Sequence, residues 1–139
     1  MIHGYNLNKL APLMLRGIMS HTLTWESSRL LRVFTGNLSG DELFESNLNL
    51  QQDKRFEGIK SIINDFTLVK SHSITPEHIE VSASTDEVIS KTKHNLKIAL
   101  VVPKGPLQSL ASRYCKLMQG QLFECAIFTS IEDANNWCV

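Results

Sequence analysis

SIINDFTLVKSHSITPEHI, residues 61–79, decides the fold of this chain. Together with the two residues before it, its start gives IKSIIND (59–65), whose middle is almost continuously apolar, as in a strand covered on both faces by helices. At its other end Thr75 is placed to cap a helix with Pro76 at the first position, and the spacing predicts a helix running to about Lys93. A buried strand followed by a crossover helix is the unit of a layered α/β fold. Between the two lie Asp65, Thr67 and His72, with His78 at the helix start, so a loop at the end of this strand is the first place to look for chemistry.

Upstream, TLTWE (22–26) and RLLRVFTG (29–36) are short runs rich in β-branched and aromatic residues, joined by Ser27-Ser28, and they predict an antiparallel hairpin closed by Gly36-Asn37. Ser39 to Glu42 then fits an S-x-x-E capping box. Leu43, Phe44 and Leu48 give the following helix its inner face, and it fades near Gln52-Asp53. Downstream, Ile79, Ala83 and Ile89 mark the buried side of the helix that begins at Pro76. Asp86 falls on or near that stripe, where an ionised carboxylate is costly unless it is paired, so a hydrogen-bonded structural role is expected for it.

LKIALVV (96–102) is the most strand-like run, stopped by Pro103-Lys104-Gly105-Pro106. Leu107, Leu110, Ala111, Tyr114, Leu117 and Met118 follow at helical spacing with Gly120 as the stop. LFECAIF (122–128) is a further strand, and Ser130 starts a last short helix with Ile131, Ala134 and Trp137 inward. The expected fold is α/β: a single mixed, mostly parallel sheet with an N-terminal antiparallel hairpin, elements in the order ββαβαβαβα, and helices packed on the sheet.

A length of 139 residues fits one domain. Fourteen Lys and Arg balance fourteen Asp and Glu with no basic block, which excludes the electrostatic footprint of a nucleic-acid binder. Cys115, Cys125 and Cys138 sit among apolar residues without C-x-x-C spacing, and are expected to be buried free thiols in a reducing cytoplasm. Residues 1–19 carry the apolar run LAPLML, too short to span a membrane and without the basic start of an export signal. Either Met19 is the natural start, or Leu10, Leu13, Leu15 and Ile18 form a docking arm, which would favour a homodimer. The glycines match no dinucleotide or triphosphate loop, and no cofactor is expected.

Several runs together resemble a known family. A tryptophan in an opening hairpin, the strand end VFTG (33–36), NDF (64–66), KIALVV (97–102) and the ending AIFTSIEDANNW (126–137) look like the SpoIIAA-like branch of the STAS domains, with a looser likeness to CRAL-TRIO lipid-transfer domains. The resemblance covers about residues 20–139 and leaves 1–19 outside. It implies an interaction or regulatory module and no catalysis. STAS antagonists carry a D-S-S-G motif whose second serine is phosphorylated by a partner kinase. The matching residues are Asp65, Phe66, Thr67 and Leu68, so Thr67 keeps a hydroxyl at the phosphoacceptor position while Phe66 and Leu68 depart from the motif. With the next helix delayed to Pro76, a phosphate on Thr67 would lack helix N-terminal amides.

For catalysis the candidates are Asp65, His72, Glu77 and His78, but six residues separate the histidines and no third metal ligand is placed, so no metal site is expected. Binding is better placed at the carboxyl ends of the parallel strands, where loops converge. The residues named there are Leu38, Ser39, Asp65, Phe66, Thr67, Lys104, Gly105 and Ser130, with Asp65 and Thr67 central and Lys104 as the anion contact. Two partners fit: another protein, which predicts a solid core beneath a polar loop surface, or a small apolar ligand or lipid, which predicts an apolar cavity. An enzyme using Asp65 with His72 or His78 is the third reading.

Overall fold

The computed structural model describes residues 21–139 except residue 94; the docking-arm and alternative-start readings of 1–19 lie outside the described residues. Strands β1 (His21–Trp25), β2 (Arg29–Leu38), β3 (Ser61–His72), β4 (Leu96–Val101) and β5 (Phe123–Phe128) alternate after β2 with helices α1 (Gly40–Gln52), α2 (Pro76–Ser90), α3 (Pro106–Leu117) and α4 (Ile131–Trp137), and a 3-10 turn covers Lys54–Gly58. The strands lie side by side in chain order, β1 antiparallel to β2 and the rest parallel. The element order and the mixed sheet are those expected from the sequence.

Because every crossover steps in the same direction across the sheet, right-handed connections put the three crossover helices on one face. That face holds the main core. Leu30 and Phe34 of β2, Ile62 and Phe66 of β3, and Ile98 and Leu100 of β4 meet Leu43, Leu50, Ile79, Ala83 and Tyr114 of the helices. The alternate residues of the same strands, Ile63, Ala99 and Val101, point to the other face and pack with Ala134 of α4, against which Ile131 and Trp137 are half-buried. Burial on both faces explains the unbroken apolar middle of IKSIIND.

The caps follow side-chain chemistry. Ser39 Oγ accepts from the Glu42 amide at 3.0 Å, and the Thr75 hydroxyl accepts from the His78 amide while the His78 ring accepts from the Thr75 amide at 2.9 Å. That ring lies against Gly40, where an added Cβ would sit 2.1 Å from His78 Nδ1, so only glycine lets α1 begin there.

Four readings are corrected. β3 does not end at Asp65: it continues to His72, paired with β2 through Leu38, while β4 stops opposite Asp65. The β-branched and aromatic content of Phe66, Thr67 and Val69 suits a strand, and two register shifts, each giving β3 one extra residue and the second opposite Gly36 at φ 68°, let the two strands stay together. Consequently Gly36-Asn37 is not a strand end; β2 runs to Leu38. Cys115 and Cys125 are not free thiols, because α3 packs on β5 and brings their Cα atoms to 5.2 Å in a disulfide, which removes the basis on which a reducing cytoplasm was expected; Cys138 is free. Finally, the inner faces of two helices are shifted. Leu117 is exposed, and α1 buries Leu43, Ser46 and Leu50 with Phe44 and Leu48 only half-buried.

Candidate functional site

Alternation along RLLRVF places Arg32 between Leu30 and Phe34 on the inner face of β2, and it is buried there with them. Opposite it in register, β3 offers Asn64 between Ile62 and Phe66. Arg32 Nε donates to Asn64 Oδ1 at 2.8 Å and Nη1 donates to Ser46 Oγ of α1 at 2.9 Å. The guanidinium carbon lies 4.9 Å from the centre of the Phe34 ring. A buried guanidinium needs this shape-matched support, because its planar fork loses water on every edge at once.

The helices supply the opposite charge. Asp86, on the buried side of α2, accepts from the Tyr114 hydroxyl of α3 at 2.5 Å and from Gln51 Nε2 of α1 at 2.8 Å, so all three helices meet at one carboxylate. Among the described residues no ion pair joins Arg32 to Asp86. Their fields still act on each other: burial lowers Arg32 to about 10 although the Asp86 charge opposes it, and burial raises Asp86 although Tyr114, Arg32 and Gln51 oppose it. Tyr114 is pushed well above its ordinary value by burial and then by Asp86.

These groups wall a cavity of ≈ 90 Å³ between the sheet and α1–α3. Its floor is Ile62, Asn64, Phe66, Ile98 and Leu100, and its roof includes Leu43, Ile79, Ser82, Leu110 and Ala111. The walls are mainly aliphatic with one polar corner. Each oxygen of Asp86 accepts one of the corner's hydrogen bonds.

The residues named from the sequence are not gathered here. Only Phe66 lines the cavity, stacked on Phe34 with centroids 4.8 Å apart. Asp65 points to the other face of the sheet, and its Oδ1 accepts from the Thr67 amide at 2.9 Å and the Thr67 hydroxyl at 2.7 Å. Thr67 and Lys104 are exposed, Leu38 is buried, and Gly105 at φ 141° precedes α3 without a side-chain cap. Ser39 and Ser130 are both helix caps. His72 Nδ1 accepts from the Ile74 amide at 3.1 Å, His78 closes its capping box 3.7 Å from Asp41, and Glu77 is exposed in the first turn of α2. The histidines thus serve local backbone, and among the described residues no three His, Cys, Asp or Glu form a metal-sized group.

Arg32, Asn64, Ser46 and Gln51 were not picked out in the sequence, and Tyr114 was read from it only as part of the inner face of its helix. A signal for two of them existed: strand alternation puts one charged and one amide side chain at core positions, at Arg32 and Asn64. For Gln51, on a helix read as amphipathic, none did. Asp86 was marked by its place on the buried stripe of α2, as Tyr114 was on α3.

Comparison by sequence finds no matching family model and no matching curated protein. By structure the chain is similar to an uncharacterized protein of the DUF3478 family with a SpoIIAA-like fold from Shewanella loihica PV-4, with 22% identity, 86% of this chain and 94% of that chain covered, and a TM-score of 0.47. It is also similar to the anti-sigma factor antagonist SpoIIAA in its unphosphorylated form, with 12% identity, 85% and 96% coverage, and a TM-score of 0.48.

Proposed function

We propose that the chain is a non-catalytic binding module whose ligand is a small, mainly apolar molecule held between the sheet and α1–α3. The supporting observation is the cavity itself: a protein-docking module needs only a solid core, whereas apolar space walled by every crossover helix is what a ligand carrier requires. Its size sets the class. A cavity of 150 Å³ takes benzene, so ≈ 90 Å³ suits a body smaller than benzene and not a full acyl chain. Among the described residues no helix is long and apolar enough to cross a membrane. Lys104 and Gly105 after β4 and Ser130 after β5, with Thr67 exposed along β3, are the proposed docking edge should a protein partner read the loaded state.

Xenon is the simplest guest, since it has size and polarisability but no head group. Methyl NMR of the full chain under xenon pressure is expected to show saturable shifts at Ile62, Ile98, Leu100 and Ala111, all cavity-lining. Shifts confined to surface methyls would overturn the reading.

A further inference from the structure

The geometry points to an uncharged ligand with a single hydrogen-bond-accepting head, an alcohol, ketone or amide, whose oxygen is taken by the Arg32 guanidinium while its carbon body lies against Ile98, Leu100 and Ala111. This rests on the cavity being a ligand site. Three observations select the head group.

First, the polar corner has a donor to spare. Each oxygen of Asp86 already accepts one hydrogen bond, from Gln51 and Tyr114, and has a lone pair left. Arg32 uses Nε on Asn64 and Nη1 on Ser46, and Nη2 engages no acceptor among the described residues. An incoming acceptor is therefore matched at Nη2. Second, the enclosure already holds one positive and one negative group, each felt by the other. A carboxylate would add a second negative charge beside Asp86 and an ammonium a second positive charge beside Arg32, each without a counter-charge in a medium that penalises it heavily. Third, apart from Asn47 and Ser82 on the helix side, the remaining wall is aliphatic and aromatic: Ile62, Phe66, Leu96, Ile98, Leu100 and Phe123 come from the sheet side alone.

Three probes of one size separate the classes: butan-1-ol, butanoate and butylammonium, titrated at pH 7 into full-length protein and followed at the methyls of Ile62, Ile98, Leu100 and Ala111. Butan-1-ol is expected to produce saturable shifts with a Kd at least tenfold lower than either ion. Tighter or equal binding of butanoate would overturn the neutral-ligand assignment while leaving the cavity reading intact. No shift with any probe, beside a positive xenon result, would overturn the role of Arg32 as head-group donor; no shift with xenon either would remove the cavity reading itself. Arg32→Met with Asp86→Leu, an uncharged pair that keeps the volume, is expected to abolish the preference for butan-1-ol over an alkane of the same length. A preference that survives this replacement would also contradict the assignment.

Discussion

Asp86→Ala is expected to cost about 3–5 kcal/mol of folding stability, since leaving a buried donor unpaired costs about 1–3 kcal/mol and two donors lose their acceptor at once. The loss has three sources. Arg32 is left buried without the opposing charge that acts on it most, the Tyr114 hydroxyl loses its acceptor, and Gln51 loses its own. Replacing the whole group by Arg32→Met, Asp86→Leu and Tyr114→Phe removes the desolvation cost together with the attraction, so the triple variant is expected within about 1.5 kcal/mol of the parent, although each single change is costly. Urea unfolding of the singles and the triple measures the difference, and additive losses would show that the groups do not act as a unit. Asp86 also gives a pH signature. Its carboxyl is raised by burial, so its contribution to stability is fully present below the unfolded value of 3.8 and is lost as pH rises through the folded value. Asp86→Asn, which keeps the shape and removes the titration, is expected to flatten that part of the stability profile.

Phe34→Ala is the second large effect, expected at about 3–5 kcal/mol for a fully buried phenylalanine. Phe34 has no exposure, stacks on Phe66 at 3° between ring planes, lies 5.7 Å from the His21 ring and carries the Arg32 guanidinium at 4.9 Å. Truncation removes the apolar burial, the stacking and part of the support for a buried cation together. Phe34→Leu keeps most of the volume and is expected to lose about half as much. Thermal unfolding by circular dichroism distinguishes the two; equal and small losses would mean that β1 and β2 carry little of the core.

The fold was legible because its elements are marked locally. Thr75-Pro76, Ser39 and Ser130 announce three helices by cap chemistry that a sequence shows directly, and Ile59 to Ile63 shows two-sided burial by the absence of alternation. The candidate site was not, because it depends on which strand residues fall under the helices. Asp65 and Thr67 looked like a loop only because the strand was taken to end with its apolar middle; long-range pairing to β2 carries it seven residues further, to His72. Arg32 and Asn64 sit where alternation demands core residues, but a lone arginine in a strand reads as an exposed position until its partners on α1 and β3 are known. The disulfide was hidden for the same reason: Cys115 and Cys125 are ten residues apart, and only the packing of α3 on β5 makes them neighbours.

That the space between sheet and helices is a cavity and not a solid core is tested most directly by the unfolding free energy of Ala111→Leu. Ala111 is nearly fully buried on α3 and faces that space. Three added carbons filling an empty apolar volume bring about 0.8 kcal/mol of burial each, so the variant is expected to be as stable as the parent or more stable by up to about 2 kcal/mol. In a core that is already close-packed, the same carbons force side chains off their rotamers and cost about 1–3 kcal/mol. A loss of that size in urea unfolding would contradict the cavity.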